Sequence, residues 1–332
     1  MGEKIVAAGP FIGELGWELM GFSGIVRYLK NQDVYKDHKF LVMTHQSRYP
    51  IYHDFADQIV PLPSWFTNAG YESASYDAIG LHPLIYGDLI KYFRRFYPDN
   101  LDELYELRPP RGHNTDFRLL HPHAWRRLAS SKLGKDIRES IIGKDLNRKL
   151  FVVMPRYRVG VHQGGNSEFN DARNWHPLYW QELIARLSND GHILVIAGTK
   201  NGIPPINYNI PGVINLSNLD SAYLMDATLA FMEIATGTIC SVSGGTHLSV
   251  QAACPTWILG HERYRHTIEC NPLETPCMFL EAGLPYSNVN VEQAYSSVSD
   301  FIELISERVH TDRMEFIRKD IEHIEKGLPD YV

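Results

Sequence analysis

The chain has 332 residues, 44% of them hydrophobic and 21% charged, with a formal net charge of −7. That length predicts two domains at roughly 100–200 residues each, and the composition excludes a chain that is disordered throughout. The acidic balance argues against a protein held mainly by nucleic-acid phosphates, and four cysteines are too few for a disulfide scaffold and fit a reducing compartment. No apolar run reaches the roughly 18–20 residues of a membrane-spanning helix, and Lys4 leads straight into Ile5-Val6-Ala7-Ala8 without a signal-like segment. A soluble, unexported, cytoplasmic protein is expected, with peripheral membrane contact left open.

Lys4–Ala8 reads as a short apolar strand that runs into Gly9-Pro10 and Gly13-Glu14-Leu15-Gly16. A helix follows from Trp17 to Lys30, where Leu19, Phe22, Ile25, Val26 and Leu29 recur near a 3.6-residue spacing. Strands at Lys39–Thr44 and Gln58–Pro61 continue the alternation of a parallel sheet flanked by helices. Between about Leu107 and Arg148 the texture turns to Pro, Gly, Arg and Lys, which predicts peripheral helices and an interdomain link near Gly143–Asn147. The same grammar then restarts. Lys149–Met154, Gly191–Ala197, Gly237–Val242 and Pro255–Leu259 read as strands, with helices at Pro177–Leu187, Met225–Glu233 and His247–Ala253. Each strand ends at Gly, Pro, Ser or Thr before a helix begins. This is the pattern of a doubly wound α/β sheet, whose ligands sit outside the carboxyl ends of the strands. The charged, amphipathic stretch Val298–Lys326 suits a surface helix covering a domain.

Ser241-Val242-Ser243-Gly244-Gly245-Thr246-His247 closes a strand and opens a helix. Adjacent glycines let a ligand approach the backbone, and the helix start attracts an anion such as phosphate. Ser243 and Thr246 would add hydroxyls and His247 an imidazole; the plainer reading makes the hydroxyls helix caps and packs His247 under the sheet. Arg156 and Arg158 leave the end of one strand and Arg173 precedes the next helix, so all three can reach the same crevice. Guanidinium groups suit paired phosphate oxygens. The alternative pairs them with Asp171 and Glu168, although three arginines at one mouth repel unless an anion lies between them. Trp175 most simply buries its ring behind that helix.

Weaker features complete the inventory. His261, His266, Cys270 and Cys277 match no zinc-ligand spacing, and Cys240 and Cys254 read as core thiols. Arg126, Arg127, Lys132 and Lys135 form a basic run that suits either a solvated helix face or an anionic acceptor. His45–Tyr49, after the second strand, and the aromatic residues Trp65, Tyr71, Tyr76, Tyr86 and Tyr92 offer surfaces for an acceptor or for the first domain's core.

Taken together, Arg173-Asn174-Trp175, the strand Ile193–Ala197 ending in Gly198-Thr199, and Ser243-Gly244-Gly245-Thr246-His247-Leu248 followed by Pro255-Thr256 resemble the C-terminal half of the ADP-heptose:lipopolysaccharide heptosyltransferases, glycosyltransferase family 9. The likeness covers about residues 150–260 and, more faintly, residues 5–30, where Ile12-Gly13-Glu14 is similar to the family's Gly-Asp turn. It implies a GT-B architecture of two Rossmann-like domains facing a central cleft: an acceptor domain over 1–145, a nucleotide-sugar donor domain over 146–297 and a helical tail over 298–332. It also implies a metal-independent glycosyltransferase whose only co-substrate is a nucleotide-diphosphate sugar. The acceptor would be a saccharide, a lipid-linked or another hydroxyl compound, with nucleic acid open but not favoured.

Arg173 matches the family lysine that contacts donor phosphates, and Gly244, Thr246 and His247 match its phosphate loop; Ser243, Gly245, Gly198 and Thr199 join that donor set. Glu14 matches the family's catalytic Asp, with Glu18 as an alternative base one helical turn on; Glu14 also suits a simple role in complementing the helix start. Val242 departs from the pattern, standing where the family has Asp. Two other readings of the same features are a non-hydrolysing nucleotide-sugar epimerase and a non-catalytic nucleotide-sugar or glycan-binding protein.

Overall fold

The computed structural model describes residues 2–68, 83–109, 126–142, 148–158, 171–264, 271 and 273–306. Two parallel sheets organise it. In the first, β1 (Glu3–Ala8) lies between β2 (Lys39–Thr44) and β4 (Leu101–Leu107), and β3 (Gln58–Pro61) extends from β2, giving the order β3-β2-β1-β4. The second holds β5 (Leu150–Met154), β6 (Ile193–Ile196), β7 (Val213–Asn215), β8 (Gly237–Ser241), β9 (Thr256–Gly260) and β10 (Cys277–Glu281) in the order β10-β9-β8-β5-β6-β7. Every pairing in both sheets is parallel. The chain winds outward from β5 through β6 to β7, then returns to β5's other side at β8. That reversal opens a crevice at the carboxyl ends of β5 and β8, the position where doubly wound sheets hold ligands. The first sheet has the same kind of reversal beside β1.

Successive strand residues point to opposite faces, so each sheet feeds two layers of core. Ile5 and Ala7 join Leu41, Val60, Leu89 and Phe93 on one side, while Val6 and Ala8 join Phe11 and Phe22 on the other. This second layer is continuous with Val152, Met154 and Leu248 of the second sheet, so one apolar core runs through both lobes. A further core on the second sheet's far side contains Trp175, Trp180 and Trp257.

The sixteen-residue stretch from Leu15 to Lys30 is helical, as its spacing predicts, but begins earlier and is not uniform. It comprises α1 (Leu15–Trp17), a π-turn (Glu18–Phe22) and α2 (Ser23–Lys30). Short helices α3 (Tyr49–Tyr52) and α4 (Ser64–Thr67) follow β2 and β3, and α5 (Pro83–Arg94) and α6 (Lys132–Ile142) complete the first part. In the second lobe α7 (Pro177–Asn189), α8 (Ser221–Met232) and α9 (Gly244–Gln251) alternate with the strands. Residues 291–306 are helical and bury Ala294, Val298, Phe301 and Ile305 against the second sheet. The expected break at Gly143–Asn147 lies outside the described residues, as does most of the tail. Among the described residues no helix is long and apolar enough to cross a membrane.

Candidate active site

The carboxyl end of β5 delivers Pro155-Arg156-Tyr157-Arg158, and the neighbouring end of β8 delivers Val242-Ser243-Gly244. Asn174, just before α7, ties this corner together. Its side-chain oxygen accepts from the Arg156 guanidinium at 2.8 Å and from the Arg158 backbone N–H at 2.9 Å, and its amide donates to the Arg158 carbonyl at 2.6 Å. Arg156 is buried, and its backbone N–H donates to Ser241 Oγ at 3.0 Å. Arg173 donates to the Val242 carbonyl at 3.2 Å. The three arginines predicted from separate segments therefore meet at the crevice of the second sheet.

Their charges act on one another. Burial, followed by the Arg173 and Arg158 charges, pulls the Arg156 guanidinium down to about 9 from its ordinary 12.5. Like charges gathered in a partly buried corner favour an anion that bridges them. From the other lobe, Glu14 pairs with Arg158 at 3.2 Å, both side chains being about two-fifths exposed. Glu14 sits at the N-cap of α1, in the turn after β1. The chain reaches that turn through Gly9, whose φ of +117° suits glycine and where a Cβ would lie 2.5 Å from the Met43 carbonyl oxygen.

Glu18 has a different fate. Fully buried, its carboxylate accepts from Thr44 at 2.5 Å and Tyr52 at 2.8 Å, and pairs with Arg48. Burial and the Glu18 charge raise the Tyr52 phenol well above its ordinary range. With no exposed surface and three partners, Glu18 has no approach to an acceptor, which corrects its expected role as an alternative base. The sequence places Glu18 one helical turn beyond Glu14, and only the fold shows that its side chain is directed onto Thr44, Tyr52 and Arg48.

At the start of α9 the structure separates the predicted residues. Ser243 and Thr246 form a reciprocal capping box, with the Thr246 hydroxyl accepting from Ser243 N–H at 3.2 Å and donating to the Ser241 carbonyl at 3.2 Å. Thr246 is fully buried, so its hydroxyl is a cap and its expected place on a phosphate is corrected. Gly245 backs onto Met154, where a Cβ would lie 2.9 Å from the sulfur. Gly244 faces the first lobe: a Cβ there would stand 3.0 Å from the Gly16 nitrogen and 3.1 Å from Leu15 Cβ. His247, buried, lays its ring against Gly16. The turn carrying Glu14 thus covers the helix start, and a ligand entering from this side requires the two lobes to part.

Gly198 and Thr199 follow β6 on the same sheet edge. Gly198 has φ +146°, and Thr199 is exposed. Tyr157 N–H donates to the Gly202 carbonyl at 2.8 Å, which ties this loop to the arginine segment. Trp175 is wholly buried and donates to the Val289 carbonyl at 2.7 Å, so it is core. Cys240 and Cys254 are buried as well, and burial pushes the Cys240 thiol up to about 12. Glu168, Tyr71, Tyr76, His266 and Cys270 lie outside the described residues.

On the first lobe's side, the residues after β2 reach a cavity of about 380 Å³ between the lobes, lined by His45 and Gln46, by Pro61–Ser64, Thr67 and Asn68, by Tyr92, and by Asp220–Ala222 at the start of α8. Sequence reasoning named His45 and Gln46 for an acceptor side, and Tyr92 for an acceptor surface or the first domain's core. It missed Ser64, Thr67, Asn68 and Asp220, whose only signal was their position just after strand ends.

No protein-family model matches the sequence, and no curated protein matches it. The fold, by contrast, is shared with solved glycosyltransferases. ADP-heptose lps heptosyltransferase II from E. coli superimposes with a TM-score of 0.59 at 13% identity, over 91% of this chain and 99% of that one. The glycosyl transferase family 9 protein from Veillonella parvula gives 0.55 at 12% identity, over 90% and 97%. E. coli heptosyltransferase WaaC, solved with ADP, gives 0.50 at 12% identity, over 91% and 99%. The chain has the GT-B fold of these family 9 heptosyltransferases: α/β, with two Rossmann-like units built on parallel sheets.

Proposed function

We propose that the protein is a glycosyltransferase that moves a sugar from a nucleoside-diphosphate donor to an acceptor hydroxyl without needing a metal. The observation that carries this reading is the juxtaposition at the cleft: Arg156, Arg158 and Arg173 at the second sheet's crevice, with the first lobe's Glu14 held against Arg158 at 3.2 Å. Structural neighbours solved with ADP and with an ADP-heptose analogue support a diphosphate donor.

In this scheme the arginines hold the donor diphosphate and meet the negative charge that grows on it as the bond to the anomeric carbon breaks. Glu14 takes the proton from the acceptor hydroxyl, whose oxygen forms the new bond to that carbon. A single displacement of this kind inverts the anomeric configuration and releases nucleoside diphosphate. Because Glu14 pairs with Arg158 and its turn covers Gly244, donor binding would draw Arg158 to phosphate and free the carboxylate in one movement.

The test is a thermal-shift titration with ADP, UDP, GDP and their sugars. One nucleoside diphosphate should raise the midpoint, by the equivalent of about 2.7 kcal/mol at a hundredfold excess over Kd. Arg156→Ala and Arg173→Ala should abolish that rise while keeping a cooperative melt. A rise that survives in both variants would remove the arginines from the donor site.

A further inference from the structure

A guanidinium on a free side chain must be ordered when it meets an anion, and that ordering weakens binding. Here the segment Arg156-Tyr157-Arg158 is ordered beforehand by three separate parts of the chain. The Arg156 N–H donates to Ser241 Oγ at 3.0 Å, the Tyr157 N–H to the Gly202 carbonyl at 2.8 Å, and the Arg158 N–H to the Asn174 side chain at 2.9 Å. Asn174 also holds a guanidinium, that of Arg156, at 2.8 Å.

The half-buried Asn174 is itself fixed from both sides. Its backbone N–H donates to the Asp171 carbonyl at 2.9 Å, closing a turn, and the next residue, Trp175, is wholly buried. The side-chain amide has one workable orientation: its oxygen faces two donors, and its nitrogen faces the Arg158 carbonyl at 2.6 Å. A carboxylate in its place could accept the first two bonds. It could not make the third, and it would set a negative charge against the arginines. The neutral amide satisfies an N–H of the buried Arg156 and adds no charge that would offset the guanidinium's.

Resting on the reading of this corner as the donor diphosphate site, we infer that Asn174 is its positioning residue, a neutral splint that fixes the Arg156 guanidinium and the Arg158 main chain without weakening their pull on an anion. Asn174 acts through the arginines and need not touch the phosphates.

Full-length wild type, Asn174→Ala and Asn174→Asp are to be titrated calorimetrically with inorganic pyrophosphate and with ADP, UDP and GDP, at about 0.05 M and about 0.5 M salt, beside the unliganded melt of each. Asn174→Ala removes the splint and should weaken pyrophosphate and the bound nucleoside diphosphate about tenfold. Asn174→Asp keeps two contacts but adds a charge, so it should weaken both by about a further tenfold at low salt. The gap between the two variants should narrow at high salt. Should Asn174→Ala not melt cooperatively, the neutral Asn174→Ser takes its place. A residue that merely staples the loop would give losses that follow the unliganded melting point and ignore salt, and that result would overturn the inference. Wild-type affinity in both variants, or Asn174→Asp binding as well as Asn174→Ala at low salt, would also overturn it and leave the donor reading standing. Pyrophosphate bound through Asn174 by a protein that takes none of the nucleoside diphosphates would support the splint and sink the nucleotide-donor reading alone. Binding of no probe by the wild type would overturn both.

Discussion

Two glutamates four residues apart show how environment assigns chemistry. Glu14, about two-fifths exposed, meets an arginine from the opposite lobe; Glu18, fully buried, is saturated by Thr44, Tyr52 and Arg48. Only the former has exposed surface, as the proposed base needs. Replacing Glu14 with Gln keeps the size and removes the base, so transfer should fall by 10²–10⁴-fold, on the order of general-base catalysis. The nucleotide thermal shift should persist. Product formation by Glu14→Gln at the wild-type rate would take the proton transfer away from this residue. At the same scale, the arginines were legible because guanidinium groups at a strand end and before the next helix are an unusual charge pattern, whereas Asn174, which fastens two of them, gave no signal beyond being polar.

The elements repeat this division. The apolar strands β1, β2, β5, β6, β8 and β9 stand out in sequence because both faces of a parallel sheet are covered, so most positions are apolar. β4 escaped notice because Leu101–Leu107 alternates charge with apolar residues along an exposed sheet edge. β7 is three residues long and β10 only partly buried. The start of α9 offered two readings, a phosphate loop and a helix cap; Ser243 and Thr246 build the cap. Thr246→Val keeps the shape and loses the cap, leaving Ser243 N–H and the Ser241 carbonyl short of a partner. A loss of roughly 1 kcal/mol is expected in urea denaturation, and an unchanged midpoint would show the hydroxyl to be idle.

For the whole molecule, the deciding feature is the core shared between lobes. Val6, Ala8, Phe11 and Phe22 from the first lobe continue into Val152, Met154 and Leu248 of the second, and Gln251 of α9 donates to the Leu19 carbonyl across the junction at 2.6 Å. A continuous apolar core couples the two units, so calorimetry of the unliganded protein should show one cooperative transition. Two separated endotherms would mean that the lobes unfold independently. The same packing sets the cost of opening: the turn bearing Glu14 lies on Gly244 and His247, and any ligand at the start of α9 must compete with it.

By itself the sequence determined the α/β class, most of the strands, the GT-B resemblance and the residue types of an anion site, because hydrophobic period and strand-end chemistry are local properties. Only the tertiary structure decided which of those residues share a cleft. Burial sent Glu18 and Thr246 inward, the strand order put the ends of β5 and β8 side by side, and the packing of one lobe on the other brought Glu14 to Arg158. Apart from the local cap at Thr246, those outcomes depend on contacts between segments 26 to 144 residues apart, which no local pattern encodes.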